Sequence, residues 1–170
     1  LELAGHAHYL RLAGRPEIRL YGPTGERLPR WMTEHDWGAD LRYFGATLFT
    51  RPVDLSLKAY GEFELSISSP ERAIIEVLDG VPRVTSFAEA RLLMEALPSL
   101  RAGLMQQLLE TCTSVKVKRL CLFLADDTHM PWRSELVDER IDLGAGKRQV
   151  VVGGRLDRRY GITVPREPVG

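Results

Sequence analysis

Apolar residues recur at helical spacing in the middle of the chain, most regularly in SSPERAIIEVLDGVP. This spacing places one apolar stripe on a single helix face. Ser68 or Ser69 is suited to cap the helix, Pro70 fits its first turn, and Gly80 and Pro82 end it. The predicted buried stripe consists of Ala73, Ile74, Val77, Leu78 and Val81.

Two further helices are predicted directly after this one, separated by Pro98. Ser86 and Glu89 have the spacing of a capping box, which opens the first of them. The expected inward positions are Phe87, Ala90, Leu93, Met94 and Leu97 in the first helix, and Leu100, Leu104, Leu108 and Cys112 in the second. The segment VKVKRLCLFLADD suits either a buried strand or a helix, and we favour the helix.

Before these helices the pattern changes to short apolar pieces with partial alternation of period two. The first residues, LELAGHAHYLRLAG, have helical spacing that Gly14 and Pro16 end. EIRLYG, GPTGERLP, DLRYFGATLF, VDLSLKAYG and FELSIS then predict strands of a small, mostly antiparallel sheet, with GPTG and AYGE as turns. At the end of the chain, KRQVVVGGRLDRRYGITVP predicts two strands about Gly153 and Gly154.

These elements predict an α+β fold with an N-terminal helix, a small sheet, several consecutive helices and a C-terminal β-hairpin. We expect one domain over residues 1–170, in which 1–67 hold the helix and strands, 68–136 the helical part, and 137–170 the basic C-terminal strands. The abrupt helical start, without a capping residue, leads us to expect a preceding segment in the full protein.

Composition supports a globular protein without a membrane segment. The 170 residues are 44% hydrophobic and 27% charged, and no apolar run approaches the length that spans a bilayer. Cys112 and Cys121 are too few for a disulfide framework and lie in apolar surroundings, which is typical of reduced thiols. We therefore expect a cytoplasmic location.

Residues 142–154, DLGAGKRQVVVGG, resemble a phosphate-binding loop at first sight. A Walker loop requires Gly-x-x-x-x-Gly-Lys followed by Ser or Thr. Here Ile141 stands where the first glycine is needed, Arg148 stands where the hydroxyl residue is needed, and the apolar run follows the glycines instead of preceding them. A turn in which Gly144 and Gly146 adopt positive φ explains the same glycines without a nucleotide.

Other candidate chemistry is weak. The histidines are His6, His8, His35 and His129, which do not have the spacing of a metal site. Asp126 and Asp127 near His129 are interpreted as a solvated helix end, and Glu62-x-Glu64 has no lysine in the register that a nuclease needs. We therefore predict no catalytic residue, no metal site and no cofactor, and a protein that is not an enzyme.

The charge distribution is informative although the net charge is zero. Basic residues cluster at the end of the chain, with a second group in the segment VKVKRL. If these two segments pack together, they form one positive surface for nucleic acid or an acidic partner. The alternative is that Lys116 and Arg119 cap or bridge locally and that the terminal arginines are merely solvated. The predicted binding residues are Lys116, Lys118, Arg119, Lys147, Arg148, Arg155, Arg158 and Arg159.

Several blocks, taken in order, resemble the C-terminal region of the AbiEi antitoxins of type IV toxin–antitoxin systems. The resemblance covers almost the whole chain. Its most specific parts are SPERA at 69–73, VKVKRL at 115–120, LGAGKR at 143–148 and YGITVP at 160–165.

The resemblance implies an antitoxin that counters a nucleotidyltransferase toxin as its functional partner, without an assumed stable complex, and that contributes to transcriptional autoregulation and phage defence. Such proteins usually carry an N-terminal winged helix-turn-helix that binds operator DNA. No winged helix precedes the matching blocks here, so we expect operator DNA to be bound through a domain outside this sequence, with help from the basic residues. The rival interpretation is a nucleic-acid-binding or degenerate nuclease-like domain.

Overall fold

The computed structural model describes residues 15–45, 47–51, 53, 55–60 and 63–166, and the predicted helix within residues 1–14 lies outside them. Helices and strands are both present, so the α+β class is confirmed. The chain divides into two compact units, with the boundary between Leu48 and Phe49. Whether residues 1–170 form the single domain expected from the sequence stays a prediction.

The smaller unit is built on a two-stranded parallel sheet. Strand β1 (Glu17–Gly22) pairs with β2 (Asp40–Gly45), and the short helix α1 (Arg30–Glu34) lies in the connection. A connection that contains a helix returns the chain to the same end of the sheet, so the second strand runs in the same direction as the first. The antiparallel pairing expected for these two strands is therefore corrected, and the ERLP portion of the second predicted piece, GPTGERLP, forms no strand.

In the larger unit, strands β3 (Leu55–Tyr60) and β4 (Phe63–Ser68) form an antiparallel hairpin in which Leu55 pairs with Ser68. The antiparallel direction agrees with the sequence analysis. The hairpin is, however, a separate sheet from β1 and β2, so the pieces do not join into the one small sheet that was expected. Residues 61–62 of the predicted AYGE turn lie outside the described residues.

Four helices form the core of the larger unit. They are α2 (Pro70–Asp79), α3 (Phe87–Glu95), α4 (Ala102–Thr111) and α5 (Val115–Asp127). The Ser69 hydroxyl accepts a hydrogen bond from the Arg72 amide at 3.2 Å and caps α2, while Ser86 does the same for the Glu89 amide of α3 at 3.1 Å. Both predicted caps are thus confirmed, and Ile74 and Leu78 are fully buried.

Helix α5 lies at the centre of this core, which confirms the helical interpretation of 115–127. Its side chains from Leu120 to Ala125 are all buried. Such a helix needs neighbours on every side, because an apolar surface all round cannot face water. After it, two short 3₁₀ helices, Pro131–Glu135 and Asp138–Arg140, lead to the C-terminal strands.

The C-terminal strands form a three-stranded sheet in the order β5-β7-β6. Strand β7 (Ile162–Val164) pairs parallel with β5 (Arg148–Gln149) and antiparallel with β6 (Arg155–Asp157). The predicted hairpin is therefore present, but its turn lies at 158–161 and not at Gly153 and Gly154. The reason is local: the Asp157 carboxylate accepts a hydrogen bond from the Tyr160 amide at 2.8 Å, which closes the turn there.

None of the helices within the described residues is long and apolar enough to cross a membrane.

Candidate functional site

The first group of predicted binding residues lies on α5 and points to backbone carbonyl groups. The Lys116 ammonium donates hydrogen bonds to the carbonyl oxygens of Asp79 and Val81, each at 2.8 Å. These groups lie at the C-terminal end of α2, where carbonyl groups have no partner within the helix and attract cations. Burial lowers the pKa of Lys116, and the nearby Asp79 carboxylate opposes this shift. Lys116 therefore joins the start of α5 to the end of α2.

Lys118 and Arg119 are buried, with 5% of each residue exposed. The Lys118 ammonium donates to the carbonyl oxygen of Asp142 at 3.0 Å. The Arg119 guanidinium donates to three more carbonyl oxygens of the following loop, those of Leu143 at 2.8 Å, Gly144 at 3.0 Å and Gly146 at 2.5 Å. A buried cation needs such partners because its desolvation is otherwise costly. These two side chains hold the loop and are not part of an accessible surface.

The loop 142–148 contains the glycines singled out in the sequence. Gly144 has φ 57° and Gly146 has φ 75°, so the predicted positive φ values are confirmed. A Cβ atom added at Gly144 would lie 3.0 Å from Cγ2 of Val115, which shows how closely the loop approaches α5. The glycines thus allow the backbone to bend around Arg119.

The second group of predicted residues lies beyond the loop, and we call it the terminal basic surface: Lys147, Arg148, Arg155, Arg158 and Arg159. Lys147, Arg155, Arg158 and Arg159 are exposed, while Arg148 is half-buried. Within the described part of the chain, the side chains of Lys147, Arg155 and Arg158 form neither an ion pair nor a hydrogen bond. The structure therefore separates the eight predicted residues into three that make internal contacts and five that remain near the outside.

Arg159 differs from its neighbours because its charge is paired. Its guanidinium lies 2.8 Å from the Asp126 carboxylate and stacks over the Tyr160 ring, 5.1 Å from the ring centroid. Asp126 is the residue that the sequence analysis assigns to a solvated helix end; it is instead half-buried in a network that joins α5 to the C-terminal strands.

Arg133 and Tyr160 complete this network, and the sequence analysis identified neither of them. Arg133 lies 3.0 Å from Asp126 and donates to Asp138 at 2.7 Å, while the Tyr160 hydroxyl donates to Asp126 at 2.5 Å. Burial raises the pKa of Tyr160, and its contact with Arg133 opposes that shift. An open cleft of about 550 Å³ lies beside these residues and includes His129, whose φ is 54°.

Groups of three or more metal-ligating side chains do not occur among the described residues. Glu62, one of the two acidic residues considered for nuclease chemistry, lies outside them, and Glu64 is exposed on β4.

The family model described as a transcriptional regulator, the AbiEi antitoxin of type IV toxin–antitoxin systems, matches residues 15–165. The chain therefore belongs to this antitoxin family, as the sequence blocks indicated. Searches of curated proteins and of solved structures find no match to the chain.

Proposed function

We propose that this protein is the antitoxin of a bacterial two-gene system, that it counters a nucleotidyltransferase toxin, and that it contributes to repression of its own transcription. The observation that carries the proposal is the family match over residues 15–165. The proposed role is regulatory and not catalytic, in agreement with the family's description as a transcriptional regulator.

The terminal basic surface is the part of the chain that we assign to contact with operator DNA. Arg155 and Arg158 are exposed on and directly after β6, so their guanidinium groups are available to phosphate oxygens. Arginine suits this task because its planar group donates two parallel hydrogen bonds to phosphate. Asp157 lies between them, but its carboxylate already accepts the Tyr160 amide. This surface would position the protein on the DNA backbone, while base recognition would come from elsewhere.

Charge reversal tests this assignment. In the full-length antitoxin, we expect Arg155→Glu combined with Arg158→Glu to weaken operator binding at least about tenfold at low salt and to reduce the salt dependence, since each lost phosphate contact lowers the slope by about one. The matched control is Arg27→Glu combined with Arg83→Glu, which changes the net charge equally at exposed positions outside the terminal basic surface. Thermal melts would confirm that both proteins are folded.

Rescue of growth from a co-expressed toxin is the second measurement. If the Arg155 and Arg158 variant is folded and binds the operator as tightly as the control, this surface does not contact DNA. Loss of rescue with operator binding retained would assign the surface to an acidic partner instead. Failure of the unmodified protein to rescue cells from the neighbouring nucleotidyltransferase would overturn the antitoxin proposal itself.

A further inference from the structure

Four carbonyl oxygens of the loop 142–148 point towards the protein interior. Those of Asp142, Leu143, Gly144 and Gly146 each accept a hydrogen bond from a buried cation of α5, at 2.5–3.0 Å. Four inward carbonyl groups in five residues are unusual for an exposed loop, where such groups commonly face water. Their orientation fixes the direction of the amides on the same peptide units.

In a trans peptide the N–H group points away from the carbonyl group of the same unit. Because the carbonyl groups of Gly144 and Gly146 face Arg119, the amides of Ala145 and Lys147 face away from it, towards the outside. Both residues are exposed. Within the described part of the chain, neither amide donates to another group. The Gly144 amide is different, since it donates to the Asp142 carboxylate at 2.8 Å.

Arg148 brings a positive charge to the same outer side. Its own amide donates inwards to the Gly161 carbonyl oxygen at 2.8 Å, whereas its guanidinium folds back onto the Lys147 carbonyl oxygen at 3.0 Å. A Cβ atom at Gly146 would lie 3.5 Å from Nη1 of Arg148. The guanidinium is therefore next to the loop backbone at Gly146 and Lys147.

We propose that this loop is a phosphate-binding site, in which the amides of Ala145 and Lys147 and the guanidinium of Arg148 donate to one phosphate group. Backbone amides on either side of a residue of positive φ, such as Gly146, form concave sites for anions. Glycine at 146 leaves the backbone open to close approach. The Asp142 carboxylate lowers the net positive charge of the loop, so we expect weak binding of a single phosphate.

This site differs from a nucleotide-hydrolysing loop, since it has neither the hydroxyl residue that holds magnesium nor the strand-to-helix arrangement. The inference deepens the proposed function, in which the phosphate belongs to the DNA backbone. It rests on the proposed function only for this source of the phosphate. Free inorganic phosphate offers the same chemistry, and the experiment separates the two sources.

The test is a titration of the full chain, followed by two-dimensional ¹H–¹⁵N NMR, with inorganic phosphate at constant ionic strength. We expect the amide signals of Ala145 and Lys147 to shift with phosphate but not with chloride, and to shift at least about threefold more than those of Val152 and Gly153, which lie in an exposed turn of the same sheet region. In Arg148→Gln the affinity should fall at least about threefold. The control Arg140→Gln removes one exposed guanidinium elsewhere and should leave the shifts unchanged.

A second titration of the labelled protein with a short operator duplex identifies the source. Shifts at Ala145 and Lys147 in both titrations support a site for backbone phosphate. If phosphate shifts them and DNA does not, the site stands and the proposed DNA contact through it is wrong. If DNA affects Arg155 and Arg158 while Ala145 and Lys147 respond to neither titrant, the loop site is overturned and the proposed function stands.

Discussion

Arg101 donates three hydrogen bonds to Glu71, one from its backbone amide at 2.9 Å and two from its guanidinium at 2.9 and 3.0 Å. This pair joins the first turn of α2 to the residue that precedes α4. Only 4% of the Glu71 side chain is exposed. Burial by itself would raise the pKa of Glu71, but the hydrogen bonds from Arg101 outweigh it and lower the pKa from 4.5 to about 2.

We therefore expect Glu71 to make the free energy of unfolding depend on pH under acidic conditions. A carboxyl group whose pKa is lower in the folded state stabilises the protein fully above the unfolded pKa, and this contribution is lost as the pH falls from about 4.5 towards 2. Glu71→Gln should lower the free energy of unfolding at pH 7 by roughly 2 kcal/mol and flatten its pH dependence in this window. Urea unfolding from pH 7 to pH 3 measures both. Glu95→Gln, which alters a more exposed ion pair with Arg91, is the control and should change stability by under about 0.5 kcal/mol.

Arg119 should be essential for the order of the C-terminal segment. Arg119→Met keeps much of the side-chain volume but leaves several carbonyl groups without a donor, so we expect a loss of about 3 kcal/mol. Amide hydrogen exchange should accelerate more in 142–166 than in α2. Arg119→Lys, which retains the charge but offers fewer donors, should give an intermediate effect. Arg158→Met at an exposed position should have almost none. Equal acceleration of exchange in α2 and in 142–166 would contradict a local role for Arg119.

The core assignment of α2 can be tested at Ile74, which is fully buried. Ile74→Ala should destabilise the protein by about 3 kcal/mol, because it removes buried methyl groups and leaves a cavity. Ile74→Asp should prevent stable folding, since it buries a charge without a partner. Leu57→Ala is the control, because 65% of Leu57 is exposed. Chemical denaturation measures all three, and a cooperative transition unchanged in Ile74→Ala would show that this helix face is not in the core.

Both cysteines should be unreactive in the folded protein. Burial raises the pKa of Cys112 to about 11 and that of Cys121 to about 12, and the thiolate is the reactive form. At pH 8 we expect an aromatic disulfide reagent to label neither thiol within minutes in the native protein, and both at once in urea. The absorbance of the aromatic thiol that the reagent releases gives the number of labelled cysteines. Rapid native labelling of one thiol would mean that its surroundings open more often than the packing indicates.

Helices α2, α3 and α4 were predictable because their signals are local. Ser69, Pro70 and Gly80 are each adjacent in sequence to the end of α2 that they mark. Neighbouring residues alone therefore determine where α2 begins and ends. The direction of strand pairing has no such local signal: β1 and β2 run parallel because of the path of the chain between them. The turn at 158–161 was missed because Asp157 competes with the more obvious glycine pair at 153 and 154.

The candidate site was predicted only in part. Charge is visible in a sequence, but burial is not, and Lys118 and Arg119 were predicted to share one positive surface with the terminal arginines, with local bridging by Arg119 as the alternative. A signal was present: the two cations adjoin 120–125, a run that is apolar in every position and must be enclosed. Cations at the start of such a helix are buried together with it. They then need hydrogen-bond acceptors from a distant loop, which the sequence does not identify.

The strand order β5-β7-β6 places the last of the described strands, β7, in the middle of its sheet. Strands β5 and β6 pair with β7 and not with each other, so neither has its partner until residues 162–164 arrive. During synthesis, the N-terminal part of a chain emerges first and can fold first. The helical core can therefore form before Arg148 and Arg155 reach fixed positions in the sheet. A ribosome that stops before Ile162 would release a chain with an intact helical body and an unformed basic sheet, so these arginines reach their arrangement only after residues 162–164 have been made.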